Sequence, residues 1–126
     1  PFLQRIQLLG PGEAIVRATG QVDDGVMKNC ISKRRWEGYH CLSPRRPSKT
    51  RIRVASGRRI VPMGRWWGDV QVGGVKVSAW FEVFDCGDVF DVILGKPWLH
   101  AVRASHDYDG DRIHIQTGDS EAMIYN

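Results

Sequence analysis

The sequence is poor in the features that define several common classes of protein. Its 126 residues include only three cysteines, Cys30, Cys41 and Cys86, and neither their number nor their spacing suits a disulfide framework or a zinc site. We therefore expect a reducing, intracellular environment in the cytoplasm, with no metal ion or other cofactor. No apolar run is long enough to cross a bilayer, so we expect no membrane partner.

The length of the chain predicts a single domain over residues 1–126, with a modest core. Residues 1–12 carry several large apolar side chains before the turn Gly10-Pro11-Gly12, a pattern that predicts either a terminal strand or a partly ordered end. The first residue is Pro1 rather than methionine, which we expect of a domain cut from a longer polyprotein.

Short segments in which apolar and polar residues alternate recur along the chain, for example at 51–54 and 112–115. This period of two is typical of half-buried strands, and the pairs Ser56-Gly57 and Asp109-Gly110 predict tight turns beside them. The clearest helical piece is opened by Pro97, whose missing N–H costs nothing at a helix start. The sequence therefore predicts an all-β, closed barrel with one short helix in its C-terminal half.

Two stretches that are distant in sequence carry the candidate chemistry. In the first, residues 21–26, an apolar strand directs the carboxylate of Asp23, and Gly25 allows a backbone conformation that a Cβ would resist. In the second, residues 91–99, an apolar strand ends at Gly95 and a short helix follows. Asp-x-Gly alone is a weak signal, because many surface turns contain it, and its weight here comes from the second stretch.

Together these stretches resemble the retropepsin-like aspartic proteases of Ty3/Gypsy-type retrotransposons. In that family an apolar strand leads into Asp-Ser/Thr-Gly-Ala, then an Asn, an Ile-Ser pair, a flap hairpin, a Phe-x-Val strand and Asp-Val-Ile-Leu-Gly-x-x-Trp-Leu. This chain has, in the same order, Asp23-Asp24-Gly25-Val26, Asn29, Ile31-Ser32, Ala55-Ser56-Gly57, Phe81-Glu82-Val83 and residues 91–99. The resemblance covers roughly residues 13–115. With His106-Asp107-Tyr108, it is most similar to elements of mushroom-forming fungi.

The resemblance implies a homodimeric, retropepsin-like (acid protease) barrel whose activity is endopeptidase cleavage of a Gag-Pol polyprotein, in the cytoplasm or in retrotransposon particles. Asp23 would be the catalytic carboxylate, in an active-site loop with Asp24, Gly25 and Val26. Residues 1–12 would join the dimer as a terminal strand. The flap would comprise Ala55, Ser56, Gly57 and Arg58, and the motif that supports the loop would comprise Ile93, Leu94 and Gly95.

Peptide hydrolysis by carboxylates needs two of them that share one proton, because two like charges about 3 Å apart cannot both ionise cheaply. The ionised carboxylate removes a proton from the attacking water, while the protonated one polarises the scissile carbonyl. The chain contains one copy of the motif and no internal repeat. Activity therefore requires a homodimer in which Asp23 is contributed twice across a two-fold axis.

Asp24 departs from the family pattern, which has Ser or Thr at this position to donate a hydrogen bond to the loop of the opposite subunit. An ionised carboxylate can only accept hydrogen bonds. We hypothesise that Asp24 must be protonated, or paired with a nearby Arg or Lys, before the dimer closes. This hypothesis predicts tighter dimerisation in acid, as carboxylates protonate.

Two other functions are also compatible with the sequence. A dimeric module that is folded but catalytically inactive would carry the same motifs. The net charge of +4 and the basic stretch between Lys28 and Arg59 would suit a nucleic-acid backbone. A solvated loop face explains these cations at least as well, so we rank nucleic acid below a peptide substrate.

The sequence offers no convincing metal site. Asp107, Asp109 and Asp111 alternate as in a calcium loop, but the remaining ligand positions are missing, which favours a hairpin turn. The histidines are scattered without metal-ligand spacing, and we expect surface or capping roles for them: His40, His100, His106 and His114.

Overall fold

The computed structural model describes residues 2–39, 52–53, 59–60, 62–86 and 89–126. The strands of this part are β1 (Phe2–Leu9), β2 (Ile15–Val22), β3 (Cys30–Ser32), β4 (Ile52–Arg53), β5 (Arg59–Ile60), β6 (Gly64–Val72), β7 (Val75–Phe84), β8 (Val92–Leu94), β9 (Ser105–Asp107), β10 (Arg112–Thr117) and β11 (Ser120–Tyr125). The α-helices are α1 (Lys33–Gly38) and α2 (Lys96–Ala101). Within the described ranges, no helix is long and apolar enough to span a membrane.

Six strands form a closed barrel in the order β1-β2-β8-β3-β7-β6. Most neighbours are antiparallel, whereas β8 runs parallel to β2 and β3 runs parallel to β7. The prediction of an all-β closed barrel with a short helix in its C-terminal half is confirmed, and α2 is that helix. A second short helix, α1, follows β3.

Residues 2–9, predicted as a terminal strand or a partly ordered end, form a strand of the barrel itself. β1 pairs along its whole length with β2, and Gln7–Leu9 pair with β6 on the other side. Phe2, Ile6 and Leu8 are buried. They are separated by even numbers of residues, so their side chains lie on the same face of the strand, and this face is turned to the core. A contribution of residues 1–12 to a dimer stays a prediction.

The C-terminal segment adds a three-stranded sheet, in the order β11-β10-β9, to the barrel. Its buried residues Ile113, Ile115 and Ile124 belong to the same apolar core as the barrel. The turn between β9 and β10 is closed by Asp107, whose Oδ1 accepts the N–H groups of Asp109 and Gly110. Asp107 thus acts as a turn residue, in agreement with the hairpin rather than the calcium loop.

Trp66 belongs to the barrel core and packs directly on Gly68 of its own strand. Its side chain is only 1% exposed and lies against Trp36 and Phe81, with ring centroids 6.2 and 5.6 Å away. A Cβ on Gly68 would lie 1.9 Å from Cζ2 of the indole. The indole therefore occupies the space that a side chain at residue 68 would fill.

We expect the substitution Gly68→Ala to lower the free energy of unfolding by about 1–3 kcal/mol, because the large Trp66 ring must move in a packed core. Urea unfolding followed by tryptophan fluorescence measures the change. Gly38→Ala is the matched control, since nothing lies within 4 Å of a Cβ at that position. Equal stability of the two variants would contradict this account of the core.

Candidate active site

Asp23 follows β2 directly and begins a tight loop. Its backbone N–H donates to the carbonyl of Leu94 over 3.0 Å, so the end of β2 is tied to the end of β8. The N–H of Gly25 donates to Oδ1 of Asp23 over 2.8 Å. This bond orients the carboxylate within its own loop, where Asp23 is half-buried and Asp24 is exposed.

Gly95 lies against the back of this loop, backbone to backbone. A Cβ at residue 95 would lie 2.5 Å from the carbonyl oxygen of Lys28 and 2.6 Å from that of Val26. The N–H of Lys96 donates to the same carbonyl of Val26 over 2.8 Å. Only glycine permits so close an approach, so the two motifs of the sequence meet at this point.

The side chain of Asn29 joins the same two motifs and is only 1% exposed. Its Oδ1 accepts the backbone N–H groups of Gly95, over 2.9 Å, and of Trp98, over 3.3 Å. Its Nδ2 donates to the carbonyl of Trp80 over 3.2 Å. Asn29 therefore supplies the first turn of α2 with an acceptor that no side chain of the helix provides. Trp98 itself is fully buried.

We expect Asn29→Ala to reduce the free energy of unfolding by about 2–4 kcal/mol, because it leaves two buried N–H donors without an acceptor. Chemical denaturation measures the loss. Asn126→Ala is the control, since the Asn126 side chain makes one exposed bond, to Asp111, and we expect a loss below about 1 kcal/mol. A loss at residue 29 no larger than that at residue 126 would refute the proposed link between the motifs.

A small apolar cluster lies next to the loop and joins the two motifs again. Cys30, Phe84 and Ile93 are buried in it, and Val26, Cys86 and Phe90 pack against them. Burial, with a smaller contribution from the charge of Glu82, raises the pKa of the Cys30 thiol to about 12. Burial also raises the pKa of Cys86 above its ordinary value. Both thiols therefore stay protonated at neutral pH.

This protonation predicts slow alkylation of the two thiols in the folded protein, because the thiolate is the nucleophile. A shift from 9.0 to about 12 lowers the thiolate fraction of Cys30 about a thousandfold. Iodoacetamide labelling at about pH 8, followed by peptide mass mapping, measures each site against the urea-unfolded chain. Labelling of Cys30 in the folded state at the unfolded rate would contradict the burial of this cluster.

An ion pair that no sequence motif predicts joins α1 to the second stretch, residues 91–99. Nε of Arg35 lies 2.7 Å from Oδ1 of Asp91, and the carbonyl of Asp91 accepts the N–H of Ser32 over 2.9 Å. The Ser32 hydroxyl caps α1 by accepting the N–H of Arg35. Burial and the nearby charge of Asp91 raise the pKa of Tyr39 to about 12.

A cavity of about 610 Å³ opens beside the candidate carboxylates. Its apolar wall includes Phe2 at the start of β1, Leu99 of α2 and Ile113 of β10. Asp23 and Asp24 lie on the same cavity as three side chains that can carry positive charge, Lys96, His100 and His106. The sequence analysis did not predict that these three side chains belong to the site. The one available signal is the i, i+4 spacing of Lys96 and His100, which places both on one face of a helix.

The predicted flap is described in part. β4 and β5 pair antiparallel, with Ile52 opposite Ile60 and Arg53 opposite Arg59, as the two arms of a hairpin. The predicted tip, Ala55, Ser56, Gly57 and Arg58, lies outside the described residues. Among the described residues, no group of three or more His, Cys, Asp or Glu side chains could hold a metal ion.

Comparison with solved structures identifies the fold. The retroviral protease-like domain of Ddi1 from Leishmania major superposes with a TM-score of 0.61 and 18% identity, over 91% of this chain and 88% of that domain. The protease of simian foamy virus (mac) gives a TM-score of 0.48 and 14% identity, over 80% of this chain and 94% of the viral protease. No family model and no curated protein matches the sequence. The fold is retropepsin-like.

Proposed function

We propose that this chain is one subunit of a homodimeric aspartic endopeptidase and that Asp23 is its catalytic carboxylate. The single observation that carries the proposal is the way in which Asp23 is held. Its loop is tied to β8 through Leu94, closed by Gly25 and supported from behind by Gly95. Rigid support of this kind is what a catalytic carboxylate needs, because its geometry must not relax when the substrate binds.

The proposed mechanism uses two copies of Asp23 across a two-fold axis. One carboxylate, ionised, takes a proton from water, and the other, protonated, polarises the scissile carbonyl. Asp23 lies at the surface of the barrel beside an open cavity, which supports access from a second subunit. The hairpin of β4 and β5 would cover the substrate, whose extended backbone can pair with it as an added strand.

The substrate we propose is an extended segment of a Gag-Pol polyprotein from a fungal Ty3/Gypsy-type element, cleaved inside the cell or in retrotransposon particles. The resemblance of the two sequence motifs supports this substrate, and the retropepsin-like fold agrees with it. We also propose that residues 1–126 form one protease domain. The main apolar core, which has members from β1 to β11, supports this assignment.

We expect the protein to cleave peptides from a fluorogenic library between about pH 4 and 7, and Asp23→Asn to lower kcat by at least about a thousandfold, since it removes both catalytic carboxylates. A statine-type inhibitor, which mimics the tetrahedral intermediate, should block cleavage. Asp119→Asn is the control, because it makes the same change at an exposed turn. Sedimentation establishes the oligomeric state in the same buffers.

Absence of cleavage from a demonstrated dimer would favour the alternative, an inactive dimerisation module. The specific observation behind that alternative is Asp24, which stands where the family has a hydroxyl. Equal activity of Asp23→Asn and the wild type would rule out Asp23 as the catalytic carboxylate. Salt-dependent retention of nucleic acid on a filter, without cleavage, would favour the basic binding module instead.

A further inference from the structure

The cavity beside Asp23 and Asp24 is lined by side chains of both signs of charge. Asp23 and Asp24 follow β2, whereas Lys96 and His100 project from α2 and His106 belongs to β9. The same cavity is also lined by the apolar side chains of Val22, Leu99 and Ile113. The cavity therefore carries both signs of charge, as contact with the same cavity of a second copy of the chain would require.

We propose that this cavity is the seat of the loop that carries Asp24 in a second copy of the chain, and that Lys96, His100 and His106 are the partners of that carboxylate. The inference rests on the homodimer of the proposed function and assigns its contacts. A two-fold interface is self-complementary, because residue i contacts j and j contacts i. An acidic loop and cationic side chains on the same cavity meet this condition without any second patch.

The exposure of the groups favours this occupant. Asp24 is exposed, and among the described residues its carboxylate has no hydrogen bond or ion pair within its own chain. Tyr108, 78% exposed, stacks on His106 with ring centroids 4.1 Å apart, and Phe2 meets the same imidazole edge-on at 5.3 Å. These rings hold His106 in place and extend the apolar surface that a partner would cover.

The contacts predict how the dimer responds to pH. The titratable groups that line the cavity with Asp24 are Asp23, Lys96 and His100 on α2, and His106 on β9, and Oδ1 of Asp111 lies 3.3 Å from Nε2 of His106. Histidine is the side chain whose charge changes between about pH 5 and 8. We therefore expect the dimer to be weaker near pH 8 than near pH 5.5.

The test is the dimer dissociation constant, measured by analytical ultracentrifugation at about pH 5.5 and pH 8. We expect Lys96→Glu to raise this constant about tenfold or more, because it places a carboxylate where a cation meets Asp24. Lys76→Glu is the matched control, since Lys76 is an exposed lysine of β7 outside the cavity. Lys96→Gln is the milder variant, and circular dichroism verifies that every variant is folded.

Two further variants decide between attraction and simple repulsion. If Asp24 acts through the cations, Asp24→Asn dimerises more weakly than the wild type at about pH 5.5, and the double variant Asp24→Lys with Lys96→Asp regains affinity. Tighter dimerisation of Asp24→Asn would overturn the inference in favour of repulsion between carboxylates. A dimer with equal affinity in Lys96→Glu and Lys76→Glu would overturn the inference alone. A monomer at both pH values would overturn it together with the homodimer.

Discussion

The contact on which the rest of the structure depends is the approach of Gly95 to the carbonyls of Val26 and Lys28. The parallel pairing of β2 with β8 brings the ends of both strands to the same edge, with Val22 opposite Leu94. Without a side chain at residue 95, the chain passes close enough for Asn29 to reach the first turn of α2. The loop with Asp23 and α2 are therefore held against each other, and we expect a substitution that displaces the loop to displace α2 as well.

The sequence predicts those parts of the fold that depend on neighbours along the chain. The alternation at 112–115 and the turn at Asp109-Gly110 are local patterns, and Pro97 marks the start of α2. β11 was not predicted, because Ile124 is its one buried side chain and its sequence shows little alternation, whereas its pairing with β10 is a tertiary contact. The pairing of Gln7–Leu9 with β6, which closes the barrel, likewise joins segments about sixty residues apart.

The residues of the candidate site also fall into those that the sequence predicts and those that it does not. Asp23 and Gly95 could be selected from sequence because each lies at the end of an apolar strand in a recognisable motif. His100 and His106 could not, because they come from a helix and a strand that meet only when the C-terminal sheet packs on the barrel. Buried Ile113 makes that packing part of the core, and Gln4 adds a bond to the carbonyl of Tyr125. The C-terminal sheet therefore contributes both to the core, through Ile113, and to the charged lining of the cavity, through His106.

The donor and acceptor properties of Asp24 connect the sheet with the proposed chemistry. A hydroxyl both donates and accepts, so two symmetry-related hydroxyl loops can bond to one another without any other group. An ionised carboxylate only accepts, so two such loops need donors from elsewhere in the dimer. Lys96 and the imidazoles on the cavity are the groups in place to supply them. In the proposed dimer, therefore, the donors come from α2 and β9 rather than from the active-site loop.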